Sequence, residues 1–224
     1  MVQEGGSESW WPIGVLIVDD HDLFRTGLAT MLQAEPGIEV VAQASRAAMG
    51  VRLARELRPS VILMDLRLPD LDGIEATREI LQGDPNARVI ALTVATAEKD
   101  VTAAVLAGAC GYLVKETPIE NVVAAVRAAA AGESWLSPQA AGALIERMRR
   151  EHVAPSHDPA PLASLSPRER EILRLVARGM ENAEIAAELN ISPRTAKNHL
   201  SSVLGKLDMS NRVQAAVLAV RSGL

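Results

Sequence analysis

The chain has 224 residues, of which 48% are hydrophobic and 2% aromatic, and its formal net charge is −5. That length holds one large domain or two modest ones, with an aliphatic rather than aromatic core. A single cysteine, Cys110, excludes an intrachain disulfide, and no apolar run approaches the roughly 18 residues of a membrane span, so the expectation is a soluble cytoplasmic protein without membrane contact.

Residues 1–12 are read as a flexible tail in which Trp10-Trp11 packs the start of a strand. Short apolar runs then alternate with helical patterns. The predicted order is strand Gly14–Asp19, helix Leu23–Gln33, strand Glu39–Ala44, helix Ala47–Leu57, strand Val61–Asp65 and helix Ile74–Leu81. Strand Arg88–Thr93, helix Glu98–Ala107, strand Gly111–Lys115 and helix Ile119–Ala131 follow. Five strands alternating with five helices predict a doubly wound, five-stranded parallel sheet covered on both faces. Gly37, Gly83, Gly108 and Gly111 fall at the expected turns. A helix over 138–150 is predicted next, within a linker over 133–161 whose Pro155, Pro159 and Pro161 break regular structure.

Beyond the linker, Ser166-Pro167-Arg168-Glu169 carries a capping box with proline at the first helical position, which starts a helix reaching Arg178. Helix Ala183–Leu189, a turn at Asn190, a helix from Ser192-Pro193 to about Leu207 and a helix from Arg212 to Ser222 complete an all-α, four-helix unit over 162–224. Charge divides along the same boundary: residues 1–137 carry a net of −8, 138–161 none and 162–224 a net of +3. An acidic module therefore precedes a mildly basic one.

Asp19-Asp20, Asp65, Thr93 and Lys115 stand at the carboxyl ends of four predicted strands, where parallel sheets place their sites. Three converging carboxylates need a cation, and hard oxygen donors without a Cys or His cluster favour Mg²⁺. Lys115 adds a point charge suited to a phosphoryl group. Together VLIVDDHDLFRTGL, ILMDLRLPDLDG, ALT and GYLVKETP resemble the receiver domains of bacterial response regulators over about residues 13–132. The resemblance implies a flavodoxin-like fold with Asp65 as phosphoacceptor. It also implies Mg²⁺ held by Asp19, Asp20, Asp65 and the backbone carbonyl of Arg67, and switch roles for Thr93, Tyr112 and Lys115. Val94 is bulkier than the residue common after the threonine, and Leu68 replaces a frequent methionine of similar volume.

Residues 162–224 resemble the LuxR-type helix-turn-helix domain of NarL/FixJ regulators. Ile185, Ala186, Leu189, Ile191, Ala196, Leu200, Val203 and Leu207 fall at helical spacings that bury one face of two crossing helices. The opposite face of 192–207 presents Arg194, Lys197, Asn198 and Ser201, of which Lys197 and Asn198 suit base edges. Arg194, Thr195, His199 and Lys206 suit phosphates or packing. Ala183 and Gly205 stand where relatives often carry Lys or Arg, so phosphate neutralisation by one copy is modest and a homodimer is expected to supply the missing affinity.

The chain thus reads as a phosphorylation-regulated transcriptional regulator whose partners are a sensor histidine kinase and double-stranded operator DNA, and which is not a turnover enzyme. A phosphorylation-independent switch would keep the same fold, but the intact acidic and lysine positions speak against it. A metal-dependent phosphatase would need D-x-D after the first strand, where this chain has Asp19-Asp20-His21.

Overall fold

The computed structural model describes residues 12–94, 98–136, 161–209, 211–222 and 224. Residues 1–11 of the expected tail, most of the linker and the expected helix over 138–150 lie outside the described residues. Strands β1 (Ile13–Val18), β2 (Ile38–Ala44), β3 (Val61–Asp65), β4 (Val89–Thr93), β5 (Gly111–Val114) and β6 (Trp135–Leu136) form one parallel sheet in the order β2-β1-β3-β4-β5-β6.

The sixth strand corrects the expected five. Residues 135–136, assigned to the linker, pair in parallel with Gly111 and Tyr112, and Trp135 N–H donates to Cys110 O at 3.1 Å. Two residues make no apolar run, so the sequence pattern carries no trace of this strand; the free edge of β5 recruits it.

Helices α1 (Asp22–Gln33) and α5 (Ile119–Ala131) cover one sheet face, while α2 (Ala47–Leu57), α3 (Gly73–Gly83) and α4 (Glu98–Ala107) cover the other. Alternation within each strand feeds both layers. Val15, Ile17, Val61, Leu63, Ile90 and Leu92 join Leu28, Leu32, Val122 and Val126, whereas Leu16, Val18, Ile62 and Met64 join Ala47, Val51, Ala76 and Ile80. Burial of both faces explains why these strands read as continuous apolar runs. Each large aliphatic side chain removed from water contributes roughly 1.5–3 kcal/mol.

Two of the expected turn glycines, Gly37 and Gly108, have φ of 80° and 105°, which only glycine adopts without strain. The other two lie inside elements: Gly83 ends α3 and Gly111 begins β5.

Gly73 has a different necessity. Asp72 caps α3 by accepting Ile74 N–H at 2.8 Å, and Gly73 N–H donates to Leu66 O at 3.1 Å, which brings the helix start against the end of β3. A Cβ on Gly73 would lie 1.9 Å from Asp65 O. Gly73→Ala is therefore expected to destabilise the protein by about 3 kcal/mol, the upper end of ordinary overpacking, because the obstruction is backbone. Urea unfolding followed by circular dichroism checks this; an unchanged midpoint would contradict it.

The C-terminal unit comprises a 3₁₀ turn (Pro161–Ser164) and helices α6 (Pro167–Ala177), α7 (Asn182–Leu189), α8 (Pro193–Lys206) and α9 (Arg212–Arg221). The predicted capping box forms: Ser166 Oγ accepts Glu169 N–H, and Glu169 Oε2 accepts Ser166 N–H at 2.8 Å. Asn190 ends α7 in the left-handed conformation, with φ of 52°. Ile172, Val176, Ile185, Ala186, Ala196 and Leu200 form the core of α6, α7 and α8.

Glu169 also ties α6 to α8, accepting Ser202 Oγ–H and the Lys206 ammonium, each at 2.7 Å. Lys206, the Ser166 amide and Ser202 hold its carboxyl down at about 2, from an ordinary 4.5. A depressed acid stabilises the folded state above its unfolded pKa and loses that contribution as pH falls through the folded one. Acid unfolding of the C-terminal unit is thus expected to steepen between about pH 4.5 and 2. Glu169→Gln is expected to flatten the profile in that window; a Gln variant with the wild-type profile would contradict the assignment.

The two units touch. Asn211 Nδ2–H donates to Ala109 O at 3.0 Å and Val105 O at 3.5 Å, and Gln214 Nε2–H donates to Val105 O at 3.0 Å and Leu106 O at 3.3 Å. Val213 and Val217 of α9 pack against a cluster that includes Leu66, Ala91, Val101 and Tyr112. From α8, the Lys197 ammonium donates to Ala131 O, the last residue of α5, at 2.7 Å. Amides and an ammonium thus serve carbonyls at two helix C-termini, where unsatisfied acceptors and the negative end of the helix dipole lie.

Candidate functional site

The strand order reverses between β1 and β3, and the rim residues gather at the carboxyl side of that crevice. Asp19 and Asp65 are buried, while Asp20 is exposed. Lys115 Nζ lies 2.6 Å from Asp19 Oδ2 and 2.8 Å from Asp65 Oδ2. Only the Asp65 contact has hydrogen-bond alignment, so the buried Asp19 Oδ2 has ionic company but no directed donor. Asp65 Oδ1 accepts the Arg67 N–H at 2.9 Å.

Burial pushes the Asp65 carboxyl up, against the lowering effects of the Arg67 amide and Lys115. For Lys115, burial opposes the charge, but the two carboxylates of Asp19 and Asp65 beside it outweigh that and raise the pKa. Phe24 lies beneath the ammonium, 5.0 Å from Nζ to the ring centroid.

One ligand atom from each of Asp19, Asp20, Asp65 and His21 lies within 4.8 Å of all the others. The carboxylate set and the under-served buried oxygen fit a hard divalent cation such as Mg²⁺.

Thr93 ends β4 beside the same crevice, its carbonyl accepting Lys115 N–H at 2.7 Å. Tyr112 is fully buried on β5, and its phenol is hydrogen-bonded to the Thr93 side chain. Burial raises the phenol pKa despite that bond. The five predicted rim residues therefore converge, and Tyr112 joins them through Thr93. Arg67 contributes its amide to Asp65, while its guanidinium pairs with Asp100 on α4 at 3.0 Å. Val94 projects into solvent, and Leu68 packs against the α2–α3 layer.

On α8, Ser192 caps the helix by accepting Thr195 N–H at 3.0 Å, which commits Thr195 to the helix start. Arg194, Lys197, Asn198 and Ser201 are exposed, and His199 is half-buried. Lys206 is exposed but occupied by Glu169, and Lys197 is turned onto α5.

Sequence reasoning missed the Asn211 and Gln214 contacts, the Glu169 bridge and the proximity of His21 to the rim. Asp70 was also missed: it accepts the Ala47 and Ala48 amides, which overcome slight desolvation and lower its pKa. Only His21 carried a visible signal, its position directly after Asp19-Asp20.

Fold and site define a receiver joined to a helix-turn-helix domain. Residues 15–127 match the response regulator receiver domain family, and residues 163–219 match the bacterial regulatory proteins of the luxR family. The chain belongs to the DNA-binding response regulators of the NarL/FixJ type. It is 44% identical to transcriptional regulatory protein LiaR of Bacillus subtilis (strain 168), spanning 95% of this chain and 99% of that one. With the nitrate/nitrite response regulator protein NarL of Escherichia coli (strain K12) it shares 36% identity over 92% of this chain and 94% of that one. The crystal structure of response regulator ChrA, from a heme-sensing two-component system, is 36% identical with a TM-score of 0.52, covering 95% of this chain and 98% of that one. No helix among the described residues is long and apolar enough to cross a membrane.

Proposed function

We propose that this protein works in the cytoplasm, that Asp65 accepts a phosphoryl group from the phosphohistidine of a sensor histidine kinase, and that this event frees the C-terminal unit to dimerise and bind operator DNA. The observation that carries the reading is the placement of the buried Asp65 carboxylate between the Lys115 ammonium and the Arg67 amide, beside Asp19 and Asp20. In the transfer an Asp65 oxygen bonds to phosphorus, the phosphorus–nitrogen bond of the donor breaks, and the released imidazole takes a proton. Asp19, Asp20, Asp65 and the Arg67 carbonyl would hold Mg²⁺, which neutralises charge on the phosphoryl oxygens. Lys115 then exchanges part of its pairing with Asp65 for a phosphoryl oxygen.

Thr93 links this chemistry to the output. Its hydroxyl is engaged with Tyr112, whose ring shares an apolar cluster with Val213 and Val217 of α9. Drawing Thr93 toward a phosphoryl oxygen takes a hydrogen bond from a buried phenol, and the cost of that loss favours repacking around Tyr112. Release of α9 also frees Lys197 from Ala131. In DNA-bound form Lys197 and Asn198 read base edges, Arg194, Thr195, His199 and Ser201 contact phosphates or the groove, and Lys206 contributes positive charge beside Glu169. The acyl phosphate is lost slowly to water, so the protein cycles as a switch rather than turning over a substrate.

Selection of bound fragments from random DNA, with and without a small phosphodonor and Mg²⁺, tests the proposal. A two-fold-related motif enriched only after phosphorylation is expected; equal enrichment in both arms would contradict it.

A further inference from the structure

His21 has no part in the chemistry above, yet its position is tightly defined. Its N–H donates to Asp19 Oδ1 at 2.8 Å, and its carbonyl accepts Arg25 N–H at 2.9 Å, so the backbone is fixed from both sides. Nδ1 lies 3.0 Å from Asp20 Oδ1, 3.5 Å from Asp19 Oδ1 and 3.4 Å from Lys115 Nζ. A single ring nitrogen either donates or accepts. As donor it serves Asp20 but faces an ammonium; as acceptor it serves Lys115 but faces two carboxylates. A divalent cation at this point answers the nitrogen and both carboxylates together, and the three rim carboxylates balance its charge and that of the Lys115 ammonium, which stays on Asp65 Oδ2.

We propose that His21 is a metal ligand through Nδ1, and that it extends the site from Mg²⁺ to borderline divalent ions of the first transition row, such as Ni²⁺ or Zn²⁺. The inference rests on the reading of the acidic rim as a cation site. Three carboxylates alone form a hard oxygen set, which suits Mg²⁺, whereas an imidazole nitrogen adds affinity for Ni²⁺ and Zn²⁺ and little for Mg²⁺. The candidate ligand atoms lie within 4.8 Å of one another, and modest contraction brings them around an ion held at about 2.1 Å. His21 is largely exposed, so the ion can reach it without opening the core.

Isothermal titration calorimetry of the full-length protein with Mg²⁺ and with Ni²⁺ separates the two levels of the argument. The wild type is expected to bind Ni²⁺ about tenfold or more tightly than Mg²⁺, in a heat signal that excess Mg²⁺ suppresses. Ni²⁺ on the other three histidines, His152, His157 and His199, is not displaced in this way. His21→Ala is expected to lower the Mg²⁺-sensitive Ni²⁺ affinity at least about tenfold while changing Mg²⁺ affinity by less than about twofold. Equal Ni²⁺ affinity in wild type and His21→Ala would overturn the role of His21. Absence of Mg²⁺ binding, with Ni²⁺ uptake still dependent on His21, would overturn the Mg²⁺ reading of the rim and uphold the ligand role.

Discussion

Asp65→Asn is expected to abolish covalent phosphorylation by a small phosphodonor in the presence of Mg²⁺, read by intact-protein mass spectrometry, while leaving the fold intact. Asn is nearly isosteric and its amide oxygen can still accept the Arg67 N–H, so the local hydrogen bond survives. What is lost is the anionic oxygen proposed to attack phosphorus. The substitution also removes one of the two buried carboxylates that hold Lys115, leaving Asp19 as its remaining ion-pair partner there. Lys115 therefore stays charged and near the crevice. Modification that persists in the Asn variant would move the acceptor elsewhere, with Asp20 the first alternative.

The second large effect belongs to the contact between the units. Asn211→Asp combined with Gln214→Glu is expected to raise the DNA affinity of the unphosphorylated protein by about tenfold or more, as measured by fluorescence anisotropy. Asn211 Oδ1 accepts Gln214 N–H at 2.9 Å, a bond that aspartate retains, so α9 keeps its start. The Nδ2 and Nε2 donors, in contrast, are replaced by oxygens that face the Val105, Leu106 and Ala109 carbonyls. Loss of two such side-chain contacts costs about 2 kcal/mol, and 1.4 kcal/mol shifts an equilibrium tenfold. The shift toward the open form frees Lys197, which cannot contact both Ala131 and a base. After phosphorylation the variant and the wild type are expected to converge, because both are then open. A variant whose unphosphorylated affinity stayed at the wild-type level would show that the α9 contact does not restrain DNA binding.

Much of this architecture was legible from the chain alone. The runs ending at Asp19, Asp65, Thr93 and Lys115 identified their strands because a doubly covered parallel sheet demands unbroken apolar character, and the order of those strands brought the side chains to one rim. Ser166-Pro167-Arg168-Glu169 announced α6 because capping is a local transaction among four residues. The misses share the opposite property. Strand β6 is two residues long and owes its existence to an open sheet edge 21 or more residues away, beyond any periodic signal. Asn211 and Gln214 read as ordinary polar residues at a helix start, since their partners at the end of α4 and just beyond it are over 100 positions distant. Glu169 was legible as half of a capping box but not as the anchor of Lys206, because one carboxylate serves a local and a long-range partner at once.

Phosphorylation of Asp65 is proposed to convert a closed chain into a DNA-binding one, and the DNA affinity of one full-length preparation before and after phosphorylation tests this most directly. With the selected fragment as probe, wild type is expected to bind at least about tenfold more tightly once phosphorylated, with Asp65→Asn fixed at the unphosphorylated value. Equal affinity of the two wild-type forms, or a gain retained by Asp65→Asn, would contradict the account.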